Sequence, residues 1–415
     1  MDILVRKYGG TSVADLDRMR GVALSVARAH LTTPTVVVVS AQGDATDRLL
    51  RTAVDAGMVR PTRETDQLLA TAECASAALL AITLQAMDVP AVSLTGGQAG
   101  ISVAGPPGAG RVVHIDPAPI RALLETGAVV VVAGFHGVDD TGTVVTLGRG
   151  GSDTTAVAVA VALDALRCEI YTDVDGVCSA DPRIVETARQ RPTVEIEPMV
   201  ELAFAGAKVL HPRAVELAAA RRVELLVANS LHDRPGTVIA PKGGDHAGLE
   251  EHRIVAVTSD LDVARVLIRA GTTNRDAAVD VLNVFARHNA PVDLVARSGP
   301  YEDEFRMGFT MRHSDFAIVG DELNRVVTAT GGTMVLDERV GKISMIGTGL
   351  LNRPQYTADM LAILAAAGIA MSWVSTSQLR TSVIVPVDRA HEAVALLHER
   401  FLCDEHADSM AIATG

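Results

Sequence analysis

The chain has little cysteine, aromatic residue or positive charge, and the first and last of these shortages exclude whole classes of protein. Phe, Trp and Tyr make up 3% of its 415 residues, which we ascribe to a GC-rich genome rather than to function. Four cysteines, Cys74, Cys168, Cys178 and Cys403, lie far apart and form no CxxC pair. We therefore expect neither a disulfide framework nor a metal site, and we expect a reducing, cytoplasmic environment.

Positive charge and long apolar runs are also scarce. With 37 Lys and Arg against 50 Asp and Glu, the formal net charge is −13, which argues against nucleic-acid partners and anionic membranes. The apolar run at 128–135 is short and the one at 155–166 contains Asp164. Neither approaches the roughly 20 residues of a membrane span, and the N-terminus does not resemble a signal peptide.

What is present over the first 240 residues is an alternation of β-branched runs with helical stretches. The expected strands are residues 3–5, 35–39, 91–95, 129–133, 169–172 and 224–227. The expected helices are residues 15–29, 66–87, 117–126, 153–165 and 200–220. Strands joined by helical crossovers predict a mainly parallel sheet covered on both faces, with ligand sites beyond the carboxyl ends of the strands.

A polar, glycine-rich stretch at 241–246 marks the expected domain boundary, beyond which the pattern changes and repeats. In the first copy we expect a strand, turn and strand at 254–268, a helix at 274–288 and a strand at 292–295. In the second we expect elements at 340–346, 357–367, 371–375, 381–387 and 390–401. Two copies of this ββα content predict paired α+β modules. The expected domains are residues 1–245, 254–330 and 338–405.

A glycine-rich motif, KYGGTS, occupies residues 7–12 between an expected strand and an expected helix. Gly9 and Gly10 let the backbone approach a phosphate and direct N–H groups towards it. Lys7 adds a cation that can follow the negative charge of a moving phosphoryl group. The motif is not a Walker A sequence, and taken alone it fits a plain strand-end turn equally well.

A second motif, LGRGGSD, occupies residues 147–153 and precedes an apolar helix. Its glycines and the helix N-terminus can form an anion cradle, in which Arg149 can hold a carboxylate through two parallel hydrogen bonds. Asp153 can orient Lys7 or a Mg²⁺ ion, and a plain N-cap is the simpler interpretation of the same residue.

Further polar groups fall mostly in loops after expected strands. The segments 171–177 and 181–183 suit an adenosine site with Arg183 on a phosphate, although a solvated turn is their commoner meaning. Lys208, in GAKVLHP, is either a second cation for the site or a surface lysine. Glu73 lies among alanines in an expected helix, and a buried carboxylate there requires a cation such as a substrate ammonium group.

In order and spacing these motifs resemble the aspartokinase family of amino-acid kinases. The resemblance over residues 1–240 rests on KYGGTSV, VSAQGDATD, VTLGRGGSDTTA, YTDVDGV with its following DPR, and GAKVLHP. The two C-terminal repeats resemble the paired ACT modules of that family. The resemblance implies an α/β protein, with an open αβα sandwich kinase domain of mainly parallel sheet followed by two α+β ACT domains. It also implies a homodimer formed through the ACT domains.

The activity implied by the resemblance is ATP-dependent phosphorylation of the side-chain carboxylate of L-aspartate, which starts lysine, threonine and methionine synthesis. Mg²⁺ is carried by the ATP phosphates. No general base is needed because the acceptor is already a carboxylate, so catalysis rests on in-line positioning and charge neutralisation. The implied catalytic residues are Lys7, Arg149 and Asp153, with Asp153 orienting Lys7.

The binding residues are carried over from the motifs in two groups. On the nucleotide side the resemblance implies Lys7, Gly9, Gly10, Ser40, Ser152, Thr172, Asp173, Cys178, Asp181, Arg183 and Lys208. On the aspartate side it implies Thr46, Glu73, Arg149, Gly150, Gly151 and Ser152. Within the second group Arg149 meets a substrate carboxylate and Glu73 lies near the amino group.

Several positions depart from the family pattern. The substrate glutamate is usually preceded by Gly and followed by Arg or Leu, and here Ala72 and Cys74 flank it. Cys178 stands where the family usually has a nucleotide-side Tyr. The Pro-Gly that holds an effector is missing at 272–276 and becomes Arg-Pro-Gln at 353–355, and the usual Gln-Asn is Ala-Arg at 296–297. We therefore expect weak or absent feedback by lysine or threonine, while the match at 374–377 favours retained pairing of ACT modules.

Two other functions remain open at this point. The Ala72 and Cys74 changes favour a sibling kinase that phosphorylates a different amino-acid-like acceptor, whereas Thr46, Glu73 and Arg149 favour aspartate. A catalytically silent ACT-bearing regulatory subunit is the other alternative. The presence of the charged residues of both glycine-rich motifs argues against it, because a silent subunit does not need them.

Overall fold

The computed structural model describes residues 2–241, 253–271, 277–297 and 304–403, and these fold into two compact units. The first unit contains the chain up to Cys178, Arg189–Phe204 and the segment that begins at Lys208. The second contains Ser179–Ala188, Ala205–Ala207 and the C-terminal part of the chain. Two short segments within the expected kinase domain therefore pack with the C-terminal unit. The expected boundary stretch at 241–246 lies almost wholly outside the described residues.

Twelve strands among the described residues form two sheets in the first unit. They are β1 (Leu4–Tyr8), β2 (Thr35–Val39), β3 (Ala91–Leu94), β4 (Ile101–Ala104), β5 (Arg111–Ile115), β6 (Val129–Ala133), β7 (His136–Val138), β8 (Val144–Thr146), β9 (Arg167–Thr172), β10 (Thr193–Glu195), β11 (Leu225–Asn229) and β12 (Thr237–Ala240). The main sheet has the order β10-β12-β11-β9-β1-β2-β6-β3, and of its neighbouring pairs only β11 and β12 are antiparallel. All six expected strands are present in this sheet, which confirms the predicted parallel architecture.

The central strands are apolar because helices cover the sheet on both faces. Every residue of β2 and β6 is buried, including the valine runs at 36–39 and 129–132. Uninterrupted β-branched runs of this kind are typical of parallel strands with two buried faces. A smaller sheet of order β5-β4-β7-β8 was not predicted, since its strands are short and partly exposed.

Seven helices of the described chain belong to the first unit. They are α1 (Leu16–His30), α2 (Ala45–Asp55), α3 (Arg63–Gln85), α4 (Ala118–Glu125), α5 (Gly151–Leu163), α6 (Ile196–Phe204) and α7 (Pro212–Arg221). The single helix expected over 200–220 is wrong, because the chain breaks between α6 and α7. Gly206 adopts a φ of +99°, which an L-residue rarely takes, and Pro212 begins α7 with the fixed φ that suits a first helical position.

Helix α3 is long and apolar enough to cross a membrane by length and composition alone. Its buried face, however, contributes Ala77, Leu80, Ala81 and Leu84 to a core cluster that also contains side chains of α1, β2 and β6. A mostly buried core helix passes the same test of length and composition. We therefore interpret α3 as a core helix of the first unit.

The second unit contains eight strands and four helices among its described residues. They are β13 (Ile254–Asp260), β14 (Ala264–Gly271), α8 (Ala277–His288), β15 (Asp293–Arg297), β16 (Glu304–Met311), α9 (His313–Ala329), β17 (Thr333–Asp337), β18 (Val340–Gly347), α10 (Pro354–Ala366), β19 (Val374–Thr376), β20 (Arg380–Pro386) and α11 (Ala390–His398). One sheet has the order β15-β16-β14-β17 and the other β13-β18-β20-β19. Two α+β modules are present, as the repeated pattern predicts.

The boundary of the first module differs from the predicted one. Strand β13 pairs in antiparallel fashion with β18, with Asp260 opposite Lys342, so residues 254–260 belong to the sheet of the second module. Strand β17, which lies beyond the expected end at 330, completes the sheet of the first module through β14. The first module therefore spans β14 to β17 and is inserted between two adjacent strands of the second. Local patterns identify strands but do not specify their partners, which is why this arrangement was missed.

Candidate active site

Three loops of the first unit meet at the carboxyl ends of adjacent strands. Tyr8 at the end of β1 lies opposite Val39 of β2 on one side and Tyr171 of β9 on the other. The residues that follow these strands, Gly9 and Ser40, are joined to this edge by backbone hydrogen bonds from Gly9 N–H to Tyr171 O and from Ser40 N–H to Tyr8 O. The parallel sheet thus brings together the segments that the sequence predicted to contact ATP.

Lys7, the penultimate residue of β1, forms an ion pair with Asp153 in the first turn of α5. Its Nζ lies 2.6 Å from Asp153 Oδ1, and the two side chains are 11% and 14% exposed. The backbone N–H of His211 donates to the second oxygen of Asp153 at 3.4 Å. Lys7 and Asp153 are therefore in contact, as their proposed relationship requires. The interpretation of Asp153 as a plain N-cap is wrong, because Gly150 is the N-cap of α5 and Asp153 lies within the first turn.

The loop after β1 requires glycine for steric reasons. A Cβ on Gly10 would lie 2.7 Å from the carbonyl oxygen of Ala41, and the N–H of Gly43 donates to the carbonyl oxygen of Gly10. The segments 9–10 and 41–43 therefore pack backbone to backbone. A Cβ on Gly9 would lie 3.4 Å from Lys7 Nζ, so a side chain at this position would contact the lysine ammonium.

The loop between β8 and α5 presents Arg149 to solvent. Gly148 and Gly150 flank it with φ values of +73° and +68°, and a Cβ on Gly150 would lie 1.9 Å from Cγ of His211. Arg149 is exposed and forms no ion pair with any residue that the structure describes. Helix α5 begins at Gly151 with Ser152 buried, and the N–H of Gly151 donates to the carbonyl oxygen of Gly148. The exposed guanidinium of Arg149 thus belongs to the loop directly before the positive end of the helix dipole.

Glu73 is a buried carboxylate without a cationic partner among the described residues. Its side chain is on α3 and the residue is 3% exposed, as its alanine neighbours predict. Oε1 accepts a 3.4 Å hydrogen bond from Ala41 N–H, and the Thr46 hydroxyl also contacts the carboxylate, while Oε2 has no partner among these residues. Burial raises the pKa of Glu73 to about 7, and the hydrogen bonds from Ala41 and Thr46 only partly oppose it. A ligand cation at Oε2 would restore the charged form.

Thr172, Asp173, Lys208 and Cys178 are further residues that the sequence predicts on the nucleotide side. The Thr172 hydroxyl donates to the exposed Asp173 carboxylate at 3.1 Å. Lys208 is exposed on the loop between α6 and α7 and forms no ion pair with the described residues. Cys178 is half-buried and forms an isolated β-bridge with Gln190. These residues remain candidates by position rather than by contact.

Asp181 and Arg183 belong to the second compact unit and are described with it. They pair with each other, with Arg183 Nη2 at 2.7 Å from Asp181 Oδ2, and this hydrogen bonding lowers the pKa of Asp181. Ala180 and Val185, on the same segment, are part of the apolar core that surrounds β13, β18 and β20.

Sequence reasoning missed three participants. The backbone N–H of Ala41 holds Glu73, and no side-chain motif announces a backbone donor. Asp66 was expected only as the start of a helix, and Arg213 was hidden inside the helix expected over 200–220. The side chains of Asp66 and Arg213 both hydrogen-bond to the backbone segment that leads to Arg149. Pro212, directly before Arg213, was a signal that a new helix starts at that position.

The first unit thus combines a glycine-lined strand edge, a lysine fixed by a carboxylate, an unpaired arginine and a buried carboxylate that lacks a cation. Glycine loops and a lysine suit phosphate groups. An arginine without an ion-pair partner among the described residues and a buried carboxylate without a cation suit a small molecule that carries both a carboxylate and an ammonium group. The arrangement is therefore suited to phosphoryl transfer onto an amino acid.

Comparison with known proteins agrees with this chemistry. A model of the amino acid kinase family matches residues 2–229, and a model of the ACT domain matches residues 343–401. The aspartokinase of Mycolicibacterium smegmatis is 40% identical over 407 residues, which cover 97% of this chain and 96% of that protein. The aspartokinase of Thermus thermophilus is 39% identical over 412 residues, which cover 98% and 100% respectively. The crystal structure of E. coli aspartokinase III with aspartate and ADP, in its R-state, has 25% identity and a TM-score of 0.78, with 96% and 99% coverage.

Proposed function

The chain belongs to the aspartokinase family, and from this premise we propose how its own residues bind aspartate and ATP. It is an aspartate kinase, which transfers a phosphoryl group from ATP to the side-chain carboxylate of L-aspartate. The observation that carries the assignment of roles is the Lys7–Asp153 pair beside a free Arg149, together with a buried Glu73 that lacks a cation.

Aspartate is bound at its two ends in this proposal. Arg149 takes a substrate carboxylate through its planar fork, and Gly150, Gly151 and Ser152 support the same anion through the positive end of the α5 dipole. Glu73 takes the ammonium group at Oε2, with Thr46 and the Ala41 N–H holding its carboxylate in place. The raised pKa of Glu73 supports this assignment, because a substrate ammonium group would offset the free-energy cost of burying the charged carboxylate.

ATP is bound along the strand edge in this proposal. Gly9 and Gly10 bring N–H groups to the phosphates, and Lys7 stabilises the charge that moves with the transferred group. Asp153 holds Lys7 in position and does not accept a proton, because the attacking group is already an ionised carboxylate. Ser40, Ser152, Thr172, Asp173, Cys178, Asp181, Arg183 and Lys208 complete the nucleotide side by their places in the motifs.

Mg²⁺ enters the proposal only with the nucleotide. The described residues contain no group of three His, Cys, Asp or Glu side chains placed to hold a metal ion. We assign the ion to the phosphates of ATP, where it would neutralise part of their charge. The carboxylate of Asp153 is already engaged by the ammonium group of Lys7.

The C-terminal modules carry the remaining proposals. A cytoplasmic homodimer formed through the ACT modules fits the family resemblance and the retained segment at 374–377. Weak or absent feedback by lysine and threonine follows from the loss of Pro-Gly in both modules. The first of these segments, 272–276, lies outside the described residues. The second is the start of α10, where Pro354 and Gln355 occupy the first helical positions.

Acyl phosphate formation tests the proposed aspartate site. The purified chain is incubated with MgATP and hydroxylamine, which traps acyl phosphates, in the presence of L-aspartate, L-glutamate or no acceptor. We expect hydroxamate with aspartate alone, and we expect Arg149→Lys to raise the KM for aspartate because an ammonium group loses the bidentate fork. Hydroxamate with another acceptor and none with aspartate would assign the site to a sibling substrate. ATP consumption in no reaction would indicate a silent regulatory chain.

A further inference from the structure

Asp66 is an enclosed carboxylate that the proposed chemistry does not use. It lies in the first turn of α3 and is 0% exposed. Its Oδ2 accepts hydrogen bonds from the N–H groups of Gly108 at 3.0 Å and Thr146 at 2.9 Å, and its Oδ1 accepts from the Thr146 hydroxyl at 2.8 Å. Three donors therefore satisfy a carboxylate that has no cationic partner among the described residues.

Arg213 contacts the next residue of the same segment from a different helix. Its Nη1 donates to the carbonyl oxygen of Leu147 at 2.6 Å, and its Nη2 donates to that of Gly110 at 3.0 Å. The N–H of Gly110 in turn donates to the carbonyl oxygen of Thr146. Burial lowers the pKa of Arg213, and an arginine remains charged nonetheless. An acidic and a basic side chain thus hold the backbone of two consecutive residues, one at an N–H group and the other at a carbonyl oxygen.

These two contacts end where the Arg149 loop begins. Thr146 is the last residue of β8, and Leu147 is followed directly by Gly148 and Arg149. Gly148 and Gly150, which flank Arg149, have positive φ values, and glycine has more accessible backbone conformations than any other residue. Because residues 146–147 are held in place, the backbone position from which the Arg149 side chain extends is held as well.

Asp66 also lies on the same helix as Glu73, seven residues earlier in the chain. Residues seven apart in an α-helix lie on one face, about two turns and roughly 10 Å apart along the axis. Both carboxylates are buried, one against β8 and one against the loop after β2. Helix α3 thus holds the start of the Arg149 loop with one carboxylate and presents Glu73 with another.

We propose that Asp66 is a positioning residue for aspartate recognition, which fixes the Arg149 loop relative to Glu73, with Arg213 as the second support of the same segment. The proposal rests on the assignment of Arg149 and Glu73 to the two ends of aspartate. A ligand gripped at both ends needs its two binding groups at a fixed separation, and displacements of about 1 Å cost up to a hundredfold in rate. ATP, which binds along the strand edge, does not depend on this separation.

The test is Asp66→Leu in the full-length chain, because leucine is close to aspartate in shape and offers no acceptor to the N–H groups of Gly108 and Thr146. We expect the KM for aspartate to rise roughly ten- to a hundredfold while the KM for ATP stays within about twofold. Thr146→Val, which removes only the hydroxyl donor to Oδ1, should shift the same constant in the same direction by a smaller factor.

The matched control is Asp139→Leu. Asp139 accepts from the N–H groups of Thr141 and Thr143 and from the Thr141 hydroxyl, in a partly exposed turn of the same small sheet. The control substitution should leave the KM for aspartate and the KM for ATP unchanged. Equal rises in both constants, or no rise for aspartate, in Asp66→Leu or, if that variant does not fold, in Thr146→Val, would overturn the positioning role. A wild-type chain that makes no aspartyl phosphate would instead refute the assignment of the substrate.

Discussion

Lys7 Nζ and Asp153 Oδ1 lie 2.6 Å apart in a nearly enclosed ion pair at the end of β1 and the start of α5. An enclosed pair differs from a surface salt bridge, because removal of either partner leaves the other charge buried without compensation. The ammonium group of Lys7 is thus held next to the glycine loop at residues 9–10 without the help of a ligand. Preorganisation of a charge in this way is a major source of transition-state stabilisation in phosphoryl transfer.

Replacement of Lys7 by Ala should lower kcat by about a hundredfold or more, since the charge that develops on the moving phosphoryl group loses its partner. Asp153→Asn should also lower kcat, because the lysine is retained but no longer fixed. The measurement is the initial rate of aspartyl hydroxamate formation at saturating substrates. Arg20→Ala, which breaks an exposed ion pair with Asp17, is the control and should be neutral. A kcat near that of the wild type in Lys7→Ala would exclude a catalytic role.

Aspartate affinity should depend on pH through Glu73. Burial raises the pKa of Glu73 to about 7 in the free enzyme. At that pH half of the free enzyme therefore carries Glu73 as a neutral carboxylic acid. The neutral form does not attract an ammonium group, so kcat/KM for aspartate should fall as the pH is lowered below about 7. Glu73→Gln should show a low kcat/KM without this pH dependence. A wild-type profile that stays flat between pH 8 and about 5.5 would contradict the assignment.

The same residue should make the ligand-free protein less stable at high pH. A carboxyl group whose pKa is higher in the folded state binds protons more tightly in the folded protein than in the unfolded chain. Its contribution to the free energy of unfolding therefore declines as the pH rises from 4.5 to about 7. At pH 8 the raised pKa of Glu73 lowers the free energy of unfolding by about 3 kcal/mol. Glu73→Gln should therefore raise the Tm at pH 8 and have little effect at pH 4.5, as measured by calorimetry. Equal changes at both pH values would contradict this account.

Gly150→Ala should inactivate the enzyme, and the cause can be separated from backbone strain. A Cβ at this position would lie 1.9 Å from His211 Cγ, in a residue with a φ of +68°. Gly142 has a similar φ of +79°, and a Cβ there would meet nothing within 4 Å, so Gly142→Ala carries the strain of about 1 kcal/mol without the clash. Aspartate kinase activity should survive in Gly142→Ala and be lost in Gly150→Ala. Similar activities in the two variants would mean that the loop accommodates the methyl group.

Feedback inhibition should be weak. Both effector segments have lost the Gly whose backbone allows close approach of an amino acid, and Gln355 now lies in the first turn of α10. Titration of the kinase reaction with lysine, threonine or both should leave more than half of the activity at about millimolar effector. Strong inhibition by either amino acid at submillimolar concentration would refute this expectation and would require an effector site built from other residues.

The sequence predicted the active-site chemistry better than the architecture around it. The pairing of Lys7 with Asp153 and the burial of Glu73 follow from short motifs and from neighbouring alanines, which are local signals. The positions of Asp66 and Arg213 do not, because their partners are backbone groups at 108–110 and 146–147 that no residue pattern marks. The loop with Lys208 was hidden by the apolar character of 200–220, although Gly206 and Pro212 were sufficient signals of a break.

The insertion of the first C-terminal module between β13 and β18 has a consequence for synthesis of the chain. Strand β13 leaves the ribosome before the whole first module, and its partner β18 leaves after it. The sheet of the second module therefore cannot close until the first module has been translated. Folding of the first module brings residues 260 and 342 near each other and shortens the loop that β13 and β18 must close. A ribosome pause between these modules would thus expose an unpaired β13, whereas a pause after β18 would not.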